Sequence, residues 1–443
     1  MDRWFKSIIN DIQGSIYYGT RVYSKKSLLE HAYDWVEAYG ECKTAILQIG
    51  THVDYWPCFF AGVISKKRLV LLDVRTSKEE TERIAQESNA DMIFIVEDGT
   101  IVTKTYEKKR SDTDKIEENQ LENKKSYVVE PSKDECEIVL FTTGTTGKPK
   151  GVIIPWSKFL KNQSCINDGK FEINSKDTTA HLLNVAHSMG LAFGTLAFLT
   201  GGDFYVCDNT TSFYRKIVSG TISAAMIPPT LFYTLFKDDL FKKAAEKMKF
   251  IATGGGLLKK NVYDEAVQRQ VHIINGYGMT ECVSGIASGD AEHIYEDLAV
   301  VPLDGLTIIL SEEDEILVKG ATVCESYLDG TRITDKEGWY HTGDRGMWVG
   351  DRIFVKGRMD NVIILESGYK VDLDELEQRV CSVPGVFDAR TFYRNGILGV
   401  EVVEEEGETV NQELIKRQFK FYEEVKILIV EQLTLKGSKK NHK

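Results

Sequence analysis

Short apolar runs that alternate with helix-like segments constrain this chain most. Thr44 to Ile49, Arg68 to Asp73 and Asp91 to Val96 read as short buried strands. Tyr55 to Val63, apolar with small residues, reads as a helix packed on a sheet, and Glu79 to Ser88 as a polar-faced helix. Strand and helix alternate, which predicts a parallel α/β sheet. The alternation resumes with a strand at Ala224 to Ile227, closed by Pro228-Pro229, and a helix opening over Thr230 to Phe236. Phe250 to Thr253 runs into Gly254-Gly255-Gly256, and His272 to Ile274 runs into Asn275-Gly276-Tyr277-Gly278. Sites in such sheets gather where loops leave the carboxyl ends of strands, so one shared ligand cleft is expected there.

A third glycine-bearing loop is the richest in chemistry. After the apolar run Ile138 to Phe141 come Thr142-Thr143-Gly144-Thr145-Thr146-Gly147-Lys148-Pro149-Lys150-Gly151. Glycines let backbone N–H groups approach an anion, threonine hydroxyls add donors, and lysines add positive charge. That is the chemistry of a loop wrapping a polyphosphate; a polar hairpin turn is the plainer alternative. It is not a Walker loop. Only two residues separate Gly144 from Gly147, and Pro149 disfavours helix at Lys148.

Beyond about Thr307 the pattern changes to short β-type runs: Thr307 to Leu310, Glu315 to Val318, Trp348 to Val349 and Ile353 to Lys356. They predict a smaller β-rich lobe. Asn361 to Lys443 has its own strands (Val362 to Leu365, Gly399 to Val403) and helices (Leu373 to Cys381, Asn411 to Phe419), as a separate small domain would. Tyr106 to Glu137 is dense in Lys, Glu, Asp and Asn and reads as a solvated connection with one candidate strand, Tyr127 to Val129.

The net charge of −12 argues against a broad nucleic-acid surface. An acidic chain must build positive potential locally to hold a polyphosphate, which makes the loop lysines more telling. The eight cysteines are scattered singly, with no CxxC pair or zinc spacing, as buried thiols of a cytoplasmic protein would be. Leu182 to Gly202 is about long enough to span a bilayer and carries no charged residue. Its Asn184, His187, Ser188 and many glycines and threonines fit a core helix lining a pocket better, so no membrane span is expected.

Four further motifs follow the loop in order. They are Asn275-Gly276-Tyr277-Gly278-Met279-Thr280-Glu281, Gly338-Trp339-Tyr340-His341-Thr342-Gly343-Asp344, Lys356-Gly357-Arg358-Met359-Asp360, and Gly368-Tyr369-Lys370-Val371. With the Thr/Gly/Lys loop this set resembles the adenylate-forming superfamily of acyl- and aryl-CoA synthetases, luciferases and peptide-synthetase adenylation domains. The resemblance implies a large α/β domain over 1–359 that binds ATP and acid, and a small mobile α+β domain over 360–443 hinged at Asp360. It also implies ATP, Mg²⁺ and either CoA or a carrier-protein phosphopantetheine as cofactors.

The residues make physical sense beside the resemblance. Thr142, Thr143, Gly144, Thr145, Thr146, Gly147 and Lys148 would wrap the phosphates. Tyr277, with Asn275, Gly276 and Gly278 about it, offers a flat ring for adenine on what its flanking glycines suggest is an exposed loop; such stacking is worth roughly 1–3 kcal/mol, and a core tyrosine is the alternative. Gly254, Gly255 and Gly256 resemble the family's small-residue loop between adenine and the acid, where a side chain would block the cleft. Thr280 offers a hydroxyl to a phosphate. Glu281 beside a phosphate makes sense with an intervening cation, and the resemblance makes it the Mg²⁺ ligand; a plain surface glutamate is the alternative. Asp344 suits the two ribose hydroxyls, and the resemblance sets Arg358 on ribose or phosphate.

The family closes with a lysine near the C-terminus. Lys439 matches best as the catalytic lysine, with Lys436 and Lys440 as alternatives to it and a frayed basic tail as the plainer alternative. The segment Ala186-His187-Ser188-Met189-Gly190-Leu191 resembles the family's His-x-x-Gly stretch, which makes His187 and Gly190 candidates for the acid pocket; a structural histidine is the alternative. Amino-acid-activating members place an aspartate in that stretch and this chain has none there, which favours an acyl or aryl acid. The expected reaction makes an acyl-adenylate and pyrophosphate, then transfers the acyl group to the thiol of CoA. Two alternatives stay open: loading of an acyl or aryl carrier protein, and a non-catalytic nucleotide-binding relative.

Overall fold

The computed structural model describes residues 8–106, 129–142, 149–256, 258, 260–291, 299–364, 370–394, 397–405, 407–419, 425–431 and 433. Two large sheets carry most of them. The six-stranded sheet runs Thr100–Thr105, Met92–Glu97, Thr44–Gln48, Arg68–Leu71, Glu137–Thr142, Lys150–Pro155. Its middle strands are parallel, and an antiparallel partner closes each edge. The nine-stranded sheet runs Val301–Pro302, Ala287–Ala291, Ile273–Tyr277, Phe250–Gly254, Ala224–Met226, Thr179–His181, Phe204–Val206, Ser15–Tyr18, Arg21–Ser24. Six of these strands are parallel; the outer ones are antiparallel. The expected α/β class with parallel sheets is therefore the observed one, with antiparallel edges added.

The helix Tyr55–Ile64 packs between the sheets. It is apolar on every side, and Tyr55 through Val63 are all buried, as such a helix must be. Trp56 stacks on Phe198 with ring centroids 4.9 Å apart, and Phe59 meets Trp156 at 5.9 Å, so one aromatic cluster joins three helices.

The apolar stretch from Leu182 is helical only over Ser188–Thr200. The Asn184 side chain accepts from the Ala186 N–H at 2.9 Å and bends the preceding residues into a loop, so the helix begins later than its composition suggests. At the other end the buried Lys25 ammonium donates to the carbonyls of Ala197 and Gly201, at 3.0 and 2.9 Å. Those are helix-end acceptors that would otherwise lack partners. Among the described residues no helix is long and apolar enough to cross a membrane.

The β-rich lobe is a four-stranded antiparallel sheet, Leu306–Leu310, Glu315–Gly320, Tyr340–Val349 and Arg352–Arg358. Trp348 and Val349 thus end a long strand that also holds Thr342 through Asp344. The C-terminal residues form a two-stranded sheet (Val362–Ile364 with Lys370–Asp372), the helix Leu373–Cys381 and a three-stranded sheet (Val386–Arg394, Ile397–Glu404, Val425–Ile429). They have a core of their own around Leu376, Val380, Val400, Val402 and Ile415. Of the second predicted helix, Gln412–Lys416 is α-helical and Arg417–Phe419 a 3₁₀ turn. The candidate strand Tyr127 to Val129 lies mostly outside the described residues; Val129 itself is not in a strand.

Candidate active site

The strand that ends in Tyr277 corrects one expectation. Asn275, Gly276 and Tyr277 belong to the strand Ile273–Tyr277 and not to a loop. They pair antiparallel with Ala287–Ala291, and this ladder holds a glycine-containing segment extended where sequence suggests a turn. The neighbouring strand brings Gly254 opposite Gly276. Gly255 and Gly256 follow, both exposed, so four of the predicted glycines, Gly276 included, share one sheet end.

Tyr277 is half-buried rather than an exposed ring, and its hydroxyl donates to Asp344 Oδ2 at 2.8 Å. Arg358 Nη1 donates to Asp344 Oδ1 at 2.9 Å and to the Thr342 carbonyl at 3.0 Å. Strands of two different sheets therefore bring Tyr277, Asp344 and Arg358 to one point. Asp344 is buried, and that burial pushes its carboxyl up, while Arg358 and the Tyr277 hydroxyl pull it down. Burial also pushes the Tyr277 phenol up, so it stays a donor. Gly343 makes the approach possible: its φ is +69°, and a Cβ there would lie 2.7 Å from Arg358 Nη2. Glu315 fixes the same turn by accepting from the Gly343 N–H at 2.9 Å, and its other oxygen lies 3.0 Å from His341 Nδ1. Neither Glu315 nor the His341 contact was anticipated from sequence.

Thr280 and Glu281 form a short 3₁₀ turn just after the strand. Thr280 Oγ1 lies 3.4 Å from Ser188 Oγ, which ties this turn to the start of the helix Ser188–Thr200 and so to His187. Glu281 is 8% exposed, and no basic side chain pairs with it among the described residues. A buried carboxylate without a cation is costly, so a metal ion fits this position. Among the described residues no three His, Cys, Asp or Glu side chains gather as metal ligands. The remaining ligands would then be phosphate oxygens and water, the usual arrangement for Mg²⁺.

His187 is exposed and caps the helix with extended backbone (φ −115°, ψ 146°). Gly190 has a packing reason of its own, since a Cβ there would meet the Asn184 carbonyl oxygen at 2.0 Å. An aspartate does approach this region, from another strand end. Asp73 is bound by Arg75 through bonds of 2.6 to 3.1 Å and also accepts from Asn184. Arg75 holds the Asp73 carboxyl below its usual range, with a smaller pull from His187. That carboxylate is already satisfied and is not a spare partner for an amine.

Thr142 ends the strand Glu137–Thr142 and is half-buried. Thr143, Gly144, Thr145, Thr146, Gly147 and Lys148 lie outside the described residues, as do Lys436, Lys439 and Lys440. Asp360 is exposed in the 3₁₀ turn Met359–Asn361, between the β-rich lobe and the C-terminal sheets.

Comparison with known proteins gives the family. Residues 46–328 match the family model described as AMP-binding enzyme. The chain belongs to the AMP-binding enzyme family. It is 32% identical to luciferin 4-monooxygenase of Photinus pyralis over 278 residues, 57% of this chain and 50% of that protein. The chain thus aligns with about half the length of that luciferase. It is 26% identical to 2-succinylbenzoate–CoA ligase of Bacillus cereus strain ATCC 10987 over 402 residues, 84% of this chain and 81% of that one. Among solved structures, ATP-bound MatB from Rhodopseudomonas palustris superposes with a TM-score of 0.80 at 17% identity, covering 97% of this chain and 95% of that one. O-succinylbenzoate coenzyme A synthetase from Bacillus subtilis, in complex with ATP and magnesium ion, gives 0.78 at 20% identity, covering 97% and 96%.

Proposed function

We propose that this AMP-binding enzyme activates an acyl or aryl carboxylic acid with ATP and passes it to the thiol of CoA. The observation that carries the reading is the meeting of Tyr277, Asp344 and Arg358 beside the Gly254–Gly276 sheet end, with the buried Glu281 next in sequence. Asp344 would accept from the ribose hydroxyls, Arg358 would hold the Asp344 carboxylate in place, and Tyr277 would present its ring edge or face to the base. Glu281 would hold Mg²⁺, which neutralises charge on the phosphates when bound.

The substrate carboxylate oxygen attacks the α-phosphorus in line. A bond to that oxygen forms, the bond to the β-phosphate bridge breaks, and pyrophosphate leaves. Anion meets anion in this step, so positioning and charge neutralisation supply the catalysis. The Thr142 to Lys148 loop and Lys439 are assigned to that task. A thiolate then attacks the acyl carbon, and AMP leaves with the bonding electrons. Residues 360–443 act as the mobile small domain with Asp360 as hinge, a reading supported by their separate core. The eight free cysteines fit a reducing, cytoplasmic setting.

The test is pyrophosphate release across a panel of carboxylic acids that includes 2-succinylbenzoate, each with and without CoA. Acid-dependent release followed by CoA thioester formation supports the reading. Release with every active acid but no CoA thioester moves the acceptor to a carrier protein. ATP binding without release for any acid contradicts the reading.

A further inference from the structure

The segment after the second β-rich strand stitches two distant parts of the site together. Cys324 N–H donates to the Glu281 carbonyl at 2.8 Å, and Leu328 N–H to the Gly151 carbonyl at 2.7 Å. Val152 and Tyr327 form an isolated antiparallel bridge between these contacts. Residues 324–328 therefore fix the start of the strand Lys150–Pro155, which leaves the phosphate loop, against the Thr280–Glu281 turn. One side chain reaches into both. The Tyr327 hydroxyl donates to Glu281 Oε1 at 3.0 Å, and Lys150 Nζ sits 4.9 Å above the Tyr327 ring.

A glutamate has three side-chain torsions, and ordering such a side chain costs up to about 2 kcal/mol. The Tyr327 hydroxyl restrains one carboxylate oxygen of Glu281. The other, Oε2, has no hydrogen-bond partner among the described residues. We propose that Tyr327 is a positioning residue that aims the second oxygen of Glu281 at a divalent cation. The inference rests on reading Glu281 as the metal ligand. Outer partners of this kind typically change metal affinity by roughly 10–100-fold when removed. The Tyr327 ring also restrains Lys150, so one residue sets the spacing between the end of the phosphate loop and the metal ligand.

The test uses the full chain with ATP bound and no acid, titrated with Mn²⁺ and followed by water-proton relaxation. Tyr327→Phe keeps the ring and removes only the hydroxyl. It should weaken Mn²⁺ binding roughly tenfold, with metal-free ATP affinity unchanged. In a Glu281→Asp background, which withdraws the carboxylate from the hydroxyl, Tyr327→Phe should have no further effect on Mn²⁺. Unchanged Mn²⁺ affinity in Tyr327→Phe, or equal loss in both backgrounds, overturns the positioning role. Glu281→Gln separates the two readings. If it weakens Mn²⁺ and Tyr327→Phe does not, only the role of Tyr327 fails. If neither weakens it, the metal role of Glu281 fails and the inference falls with it.

Discussion

At the scale of single residues, the hydroxyl of Tyr277 matters beyond its ring. Tyr277→Phe removes one donor to Asp344 and leaves a buried carboxylate less restrained. A hydrogen bond to a charged group is worth about 1.5–3 kcal/mol, so KM for ATP should rise by roughly 10–100-fold, with kcat changed far less. Steady-state kinetics at saturating acid would read it. His181 offers a pH test of stability. It ends a central parallel strand, is 2% exposed, and among the described residues its ring nitrogens meet nothing better than a weak approach to the Leu183 backbone. Burial depresses its pKa to about 4 from 6.5. Above pH 6.5 the ring is neutral folded and unfolded, so nothing is lost. Between about 6.5 and 4 the unfolded chain takes up the proton first, and stability falls as pH falls. At pH 4.5 the loss is about 2–3 kcal/mol. His181→Gln should lack that part of the acid limb in urea titrations at pH 7 and 4.5.

At the scale of elements, the turn at Gly343 couples two strands to the site. Gly343→Ala puts a side chain where φ is positive and Arg358 already stands. It should weaken ATP binding at least tenfold, read by calorimetry, because Arg358 must leave Asp344 to make room. Much at this scale was legible in the sequence. The helix Leu373–Cys381 has the bounds its pattern gives, and the strands opening at Thr44, Arg68, Ala224 and Phe250 start where their apolar runs do. What escaped is set by partners far along the chain. The Asn275 to Tyr277 segment is a strand because Phe250–Gly254 pairs with it on one side and Ala287–Ala291 on the other. Glu315 and Tyr327 reach the site through tertiary contacts that no local pattern announces. The Asp344–Arg358 ion pair was equally hidden, since sequence suggests each residue singly and not the bond between them.

At the scale of the molecule, the C-terminal sheets meet the rest through polar and aromatic contacts. Arg345 pairs with Asp372, and Asp374 accepts from the Arg358 N–H at 2.8 Å. Farther off, Lys237 lies 3.7 Å from Glu405 and over the rings of Tyr233 and Phe387. Tyr233 and Phe387 themselves meet at 5.0 Å between ring centroids. These contacts would have to break for the proposed turn about Asp360 between two half-reactions. Asp360→Pro fixes one backbone torsion at the exposed turn. It should slow thioester formation roughly tenfold or more while adenylation changes little, measured as separate half-reactions.

The central claim is that separated strand ends grip one ATP so that an organic acid can be joined to AMP. Acid-dependent exchange of labelled pyrophosphate into ATP measures that step alone. Exchange that requires both an acid and Mg²⁺, and falls by roughly 10²–10³ in Asp344→Ala, is the result expected. ATP bound with no exchange for any acid, or full exchange in Asp344→Ala, would contradict it.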